Sequence, residues 1–228
     1  MSALEKSPIP VLVSDFDGTI NDKDFFQLVV DELAPAGCLR HWRDFEAGQI
    51  THFEALRRMF AEITADEATT LAAVMRDCRP SPGFACALAE LREAGWEVVV
   101  ASAGCAWYIE KLLGPQLGEL TLHANPGSFE PGRGLQMRMP EGSPFLSPTV
   151  GIDKPGIVRA ALEKHATVAF AGDGRPDYPP AMLVPPEYRF ARGYLADRLR
   201  TEGVPFRPFN RWSEVAAALI SQRTAPLP

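Results

Sequence analysis

Asp15-Phe16-Asp17-Gly18-Thr19 sets two carboxylates two residues apart, directly beyond the apolar run Pro10-Val11-Leu12-Val13-Ser14. In extended chain both side chains face the same way, and a turn after Asp15 brings both around one pocket. Paired aspartates at the mouth of an apolar sheet are costly unless a cation or hydrogen-bond donors compensate them. Mg²⁺, which prefers oxygen ligands, is the natural complement. More polar groups follow in order. Ser102 ends the run at 96–101, Lys154 lies in Asp153-Lys154-Pro155-Gly156, and Asp173 and Asp177 lie in 172–177 beyond the run at 166–171. Taken singly, each has a plain structural use: Ser102 as a helix cap, Lys154 on the surface, the aspartates as turn formers. Lys154 is the odd one, because a lysine before Pro155 faces the positive end of a helix dipole unless an anion is shared between them. The serial placement of these groups at strand ends points to a single site.

Positioning such groups requires a sheet. The three runs are β-branched and nearly continuous in apolarity, as expected of strands buried on both faces of a parallel sheet. Helical patterns at about 83–94, 106–113, 155–164 and 211–221 separate them, with weaker strands at 119–124, 188–191 and 205–209. This reads as an α/β, doubly wound, Rossmann-like parallel sheet. Between the first strand and Pro82-Gly83 the pattern is helical only, at roughly 24–34, 38–47, 52–63 and 66–77, with Thr51 and Asp66 as N-caps. An insertion there sits beside the carboxyl ends of the strands, where α/β ligand sites form, and is placed to be a lid. The expected division is a catalytic core of 1–21 with 81–228 and a helical cap of 22–80. Residues 126–149, rich in Gly, Pro and Ser, fit either a β-hairpin or a long surface excursion.

At 228 residues the chain is long enough to bury a core without staples. Its 23 Lys+Arg against 29 Asp+Glu give a net charge of −6, which argues against a nucleic-acid wrapper or a binder of anionic membrane surface. No apolar run approaches the roughly 20 residues that span a bilayer. The start MSALEKSPIP lacks the pattern of an export signal, so reduced cysteines and a cytoplasmic setting are expected. The four histidines are scattered, which argues against zinc. Oligomeric state is left open.

The ordered set Asp15, Asp17, Ser102, Lys154, Asp173, Asp177 resembles the haloacid dehalogenase superfamily of aspartate-nucleophile phosphohydrolases, over Val11 to about Leu219. That resemblance implies Mg²⁺-dependent hydrolysis of a small-molecule phosphate monoester through an aspartyl-phosphate. Asp15 would be the nucleophile and Asp17 the general acid/base. Ser102 and the Ala103 backbone would bind the phosphoryl group, and Lys154 would neutralise it. Asp15, Asp173 and the Asp17 carbonyl would hold the metal, with Asp177 supporting it from behind. The helical insertion is similar to the small cap of the phosphoserine phosphatase branch. Phe45-Glu46-Ala47-Gly48-Gln49-Ile50-Thr51, Asp153-Lys154-Pro155 and Phe190–Leu195 with Pro208-Phe209 resemble more narrowly the methionine-salvage phosphatases acting on 2-hydroxy-3-keto-5-methylthiopentenyl 1-phosphate. By the same resemblance, Asp24 and Arg57 are candidate substrate contacts from the cap. The last of these stretches has no catalytic reason visible in its residues and reads as packing.

Two positions depart from the family pattern. Ala103 stands where a glycine is usual, and a positive φ there would cost energy. Pro176 replaces an asparagine usual before the last aspartate of phosphoserine enzymes, which weakens phosphoserine as substrate. The alternatives are phosphoserine hydrolysis and phosphoryl transfer to a small acceptor, which the same intermediate serves. More distant ones are a silent phosphometabolite binder and a receiver-type signalling domain. A receiver carries its acceptor aspartate at a middle strand and lacks a 60-residue insertion.

Overall fold

The computed structural model describes residues 9–224. The expected core limits at 1 and 228 lie outside them. The strands are β1 (Val11–Ser14), β2 (Glu97–Cys105), β3 (Thr121–Asn125), β4 (Gly127–Glu130), β5 (Gly134–Met137), β6 (Leu146–Ser147), β7 (Gly151–Ile152), β8 (Val168–Gly172), β9 (Arg189–Ala191) and β10 (Arg207–Pro208). The α-helices are α1 (Phe25–Leu28), α2 (Leu39–Glu46), α3 (His52–Ala61), α4 (Glu67–Asp77), α5 (Phe84–Glu93), α6 (Ala106–Leu113), α7 (Lys154–Lys164), α8 (Tyr178–Ala181), α9 (Gly193–Thr201) and α10 (Trp212–Thr224).

Six strands form one parallel sheet in the order β10-β9-β8-β1-β2-β3. The α/β doubly wound reading therefore holds. β1 is buried along its whole length because helices cover both faces of the sheet. Leu12 packs into one layer of core, while Val11 and Val13 join the other with Val168 and Phe170, as strand alternation requires. From β1 the order runs to β2 on one side and β8 on the other. The carboxyl end of β1 is thus a switch point of the sheet, where a crevice opens. Asp15, Ser102 and Asp173 all lie there.

The chain leaves the sheet through Asn21, which bridges back to Pro80, and Ser81 donates to the Ile20 carbonyl from both its amide and its hydroxyl at 2.9 Å. Between these points the regular structure is helical: α1 running into a π-turn at Val29–Leu33, then α2, α3 and α4. Thr51 and Asp66 cap α3 and α4 by accepting from the amides of Glu54 and Thr69. Apolar Leu56, Met59, Phe60 and Ile63 form the buried stripe of this layer.

The 126–149 stretch resolves to the hairpin alternative, β4 paired antiparallel with β5. It packs on α3. Gly134 adopts φ +68°, and a Cβ there would fall within 2.7–3.0 Å of the carbonyl oxygens of Phe60, Ala61 and Ile63. Leu135 and Met137 are buried beneath it. The layer over the sheet therefore contains a hairpin as well as helices, contributed by sequence well beyond residue 80.

Candidate active site

Asp15 follows β1, its amide bonded to the Ala171 carbonyl of β8 at 2.9 Å. Lys154 opens α7, whose N-cap Asp153 accepts from the Gly156 amide. The lysine side chain is fully buried, 2.7 Å from Asp15 Oδ1 and 2.6 Å from Asp177 Oδ1. Burial works against its charge, but Asp15 and Asp177 outweigh that and hold its pKa above the ordinary lysine range. The anion that the helix dipole calls for is supplied by these two carboxylates.

Asp177 is saturated. Its Oδ1 takes Lys154, and its Oδ2 takes the amides of Asp173 at 3.0 Å and Gly174 at 2.8 Å. It thereby ties the loop after β8 to the lysine. Asp173 accepts from the Thr19 hydroxyl at 3.1 Å and lies against Gly18, where φ is +69° and a Cβ would strike the Asp173 carboxylate at 2.2 Å. Only glycine allows the first acidic turn to approach the second this closely.

Carboxylate oxygens of Asp15, Asp173 and Asp177 lie within 4.8 Å of one another. Burial first, then the charge of Asp177, raises the pKa of Asp15 well above the carboxylate range and that of Asp173 to about 7. Lys154 alone does not balance this charge. An all-oxygen, over-acidic cluster at a cavity wall fits a hard divalent cation.

Asp17 is held from both sides. Oδ1 accepts from the Phe25 amide at 3.3 Å and from Asn21 Nδ2 at 3.4 Å, and Oδ2 accepts from the Tyr108 hydroxyl. Burial pushes its pKa up, and these three donors pull against that. Ser102 lies within β2, which runs on to Cys105 past the expected end at 101, in a stretch where the pairing register shifts. Its Oγ accepts the Gly104 amide at 2.9 Å and so organises the local turn that also presents the Ala103 and Gly104 backbone. Asn125 Nδ2 fixes the Ala103 carbonyl at 2.8 Å. No described non-glycine residue has positive φ, so Ala103 sits in the glycine position without that strain.

Asp15, Asp17, Ser102, Lys154 and Asp173 share one cavity of about 270 Å³, with Asp177 buried behind it. Its floor is acidic. Its walls are Phe26, Trp42, Leu56 and Phe60 from the helical layer, with Tyr194 from α9. His52 joins them; burial, then Lys154, lowers its pKa to about 4, so it is neutral at physiological pH. Asp24 also lines the cavity, its Oδ1 capping the Phe26 amide at 2.7 Å; burial and then Asp17 push its pKa well up. Arg57 is not brought to this cavity. It forms a fork on Glu54, with both contacts at 2.7 Å, and faces a groove beside Arg138 and Met139. The i,i+3 spacing turns the guanidinium along α3 and away from the site.

The family model for haloacid dehalogenase-like hydrolases matches residues 12–182, from β1 through the loop that carries Asp173 and Asp177. The chain belongs to this family. This hydrolase is also 24% identical over 212 residues to a 2-hydroxy-3-keto-5-methylthiopentenyl-1-phosphate phosphatase of Brevibacillus brevis, covering 92% of the chain and 94% of that protein. A protein of the same name from Microcystis aeruginosa is 25% identical over 212 residues, covering 92% and 97%. Among solved structures, a haloacid dehalogenase family hydrolase from Salmonella enterica serovar Typhi superposes with a TM-score of 0.69 at 17% identity, covering 97% of this chain and 74% of that one. A phospho-aspartyl intermediate analogue of phosphoserine phosphatase gives 0.62 at 18% identity, covering 91% and 95%. The expected haloacid dehalogenase-type phosphatase and its phosphoserine phosphatase-like fold agree with these comparisons. No described helix of this hydrolase is long and apolar enough to cross a membrane.

Several groups here were not foreseen from the sequence. Asn21 and Tyr108 touch Asp17, and Thr19 touches Asp173. Arg192, within the stretch read as packing, donates to the carbonyls of Gly18, Asn21 and Asn210. No local pattern marks Tyr108: its closeness to Gly104, where a Cβ would overlap its hydroxyl, exists only in the fold.

Proposed function

We propose that this protein hydrolyses a phosphate monoester through an aspartyl-phosphate on Asp15, with Mg²⁺ as cofactor. The observation that carries the proposal is the meeting of Asp15, Asp17, Ser102, Lys154 and Asp173 on one cavity at the sheet switch point. Residues 22–80, with the β4–β5 hairpin, serve as the cap over it.

Asp15, Asp173 and the Asp17 carbonyl would hold the metal, with Asp177 fixing the loop behind them. When bound, Mg²⁺ supplies positive charge that offsets the repulsion between a carboxylate and a phosphate dianion. Lys154 adds to this and orients Asp15. The Ser102 hydroxyl and the amides of its turn cradle the phosphoryl oxygens. An unprotonated oxygen of Asp15 attacks phosphorus as the ester P–O bond breaks, and Asp17 gives its proton to the departing alkoxide. Asp17 then takes a proton from water as that water attacks the phosphorus of the acyl phosphate. Asp15 is released as a carboxylate with inorganic phosphate.

The leaving group is read as small and apolar. Phe26, Trp42, Leu56, Phe60 and Tyr194 offer apolar or aromatic surface, and the helical layer sends no described cation into the cavity. Arg175 at the rim pairs with Glu46 at 3.6 Å and stacks on Tyr194. A phosphoserine carboxylate would meet Asp24 instead of a cation. The relatives named for 2-hydroxy-3-keto-5-methylthiopentenyl 1-phosphate support that thioether ester as the substrate. A cytoplasmic setting fits the four free cysteines.

The test is hydrolysis of p-nitrophenyl phosphate and of the methylthio ester, with Mg²⁺ or EDTA, by the wild type and Asp15→Asn. Phosphate release that needs both the metal and Asp15 is expected. Release that survives EDTA and Asp15→Asn contradicts the proposal.

A further inference from the structure

We infer that Tyr108 is a positioning residue for the leaving-group acid, fixing the Asp17 carboxyl so that its proton meets the ester oxygen; this rests on the phosphatase reading above. Three observations converge on it. Tyr108 is the one described donor on Asp17 Oδ2, whereas Oδ1 has two donors at 3.3 and 3.4 Å, both long for an N–H···O bond. The tyrosine is 1% exposed, and its ring packs 4.3 Å from Phe25, the residue whose amide also holds Asp17. Its hydroxyl occupies the space that a Cβ on Gly104 would need: that atom would lie 1.9 Å from the Tyr108 oxygen and 2.8 Å from Asp17 Oδ2.

The consequence is geometric. One element, α6, begins at the turn that would cradle the phosphoryl group and carries Tyr108 on its first turn. The phosphate cradle and the acid are therefore linked through a single rigid helix, and Asp17 stays in register with the bond being broken. A carboxyl held at Oδ1 alone could rotate about Cβ–Cγ, and proton delivery would lose the alignment that makes it effective. The step itself is unchanged: the Asp17 proton passes to the bridging oxygen as that oxygen leaves phosphorus and Asp15 bonds to it. Tyr108 exchanges no atom with the substrate.

This role predicts a split by leaving group. Nitrophenolate departs without protonation, while an alkoxide needs it. Tyr108→Phe keeps the ring and its packing and deletes only the hydroxyl. We expect kcat/KM with Mg²⁺ to fall about tenfold or more for phenethyl phosphate and by less than about threefold for p-nitrophenyl phosphate. In an Asp17→Asn background, the same change should leave the first-turnover rate of nitrophenolate release from p-nitrophenyl phosphate unchanged, because that release needs no proton from residue 17. Metal-free crystals of Tyr108→Phe should show the Asp17 carboxyl rotated from its wild-type orientation. An equal loss on both esters, or an unmoved Asp17, overturns the positioning role while leaving the phosphatase reading intact. Wild-type protein inert on both esters removes both.

Discussion

Arg192 reaches across from the chain after β9 and donates through Nη2 to the carbonyl of Asn21 at 2.6 Å. The same guanidinium donates to Gly18 and Asn210 and pairs with Asp22 at 3.1 Å. It thus clamps both ends of the turn that follows Asp17. Replacing it by alanine strands the two partly buried carbonyls of Gly18 and Asn21, at about 2–4 kcal/mol for charge-assisted bonds of this kind. Urea unfolding of Arg192→Ala should show that loss, with kcat/KM reduced about tenfold or more. Arg192→Lys should recover little, because an ammonium cannot reproduce the fork.

Asp173 makes stability depend on pH in a defined direction. Its folded pKa of about 7 exceeds an unfolded value of about 3.9, so the metal-free folded state binds more protons across that window. Stability in EDTA therefore falls as pH rises from about 4 to 7 on account of this group. Asp173→Asn removes the cost. Differential scanning calorimetry in EDTA at pH 8 should place its Tm about 3–8 °C above wild type, with the gap closing towards pH 4. Mg²⁺ at pH 8 should raise the wild-type Tm and leave the variant unmoved.

The apolar walls predict discrimination. The methylthio ester should be favoured over phosphoserine by about a hundredfold in kcat/KM, a reasonable cost for desolvating a carboxylate against Phe26, Trp42, Leu56 and Phe60 without a cationic partner from the helical layer. Trp42→Ala should raise KM for apolar esters about tenfold and narrow that ratio, since it deletes much of one wall. Asp24→Asn should narrow it from the other side, by improving phosphoserine. A substrate panel with the three proteins measures each effect.

Arg57 supplies a control. Its guanidinium is spent on Glu54, with its side chain 43% exposed, so the pair is worth only a few tenths of a kcal/mol. Arg57→Ala should keep kcat/KM within about twofold of wild type on every ester.

The sequence was legible where local pattern and global fold coincide. Strands buried on both faces are apolar throughout, so β1, β2 and β8 stood out, and the polar residues at their ends marked Asp15, Ser102, Asp173 and, through its helix start, Lys154. Thr51 and Asp66 act as caps because their chemistry is local. What could not be read were contacts fixed by tertiary approach. Arg192 lies 174 positions from the Gly18 carbonyl it holds, and Tyr108 lies 91 from Asp17. Arg57 failed for a related reason: resemblance supplied its position along the chain, but the neighbouring Glu54 decided where its side chain points. The hairpin at 127–137 was ambiguous because Gly and Pro mark turns and loops alike, and only packing on α3 distinguishes them.

The most direct measurement concerns the Asp15 side chain itself. Protein turning over phosphate ester with Mg²⁺ is quenched in acid, reduced with borohydride, and its peptides are read by mass spectrometry. An aspartyl-phosphate reduces to homoserine, which should appear at position 15 and be absent without ester or after EDTA. Phosphate release at full rate with Asp15 unmodified, and homoserine at no position or at another aspartate, would contradict the account.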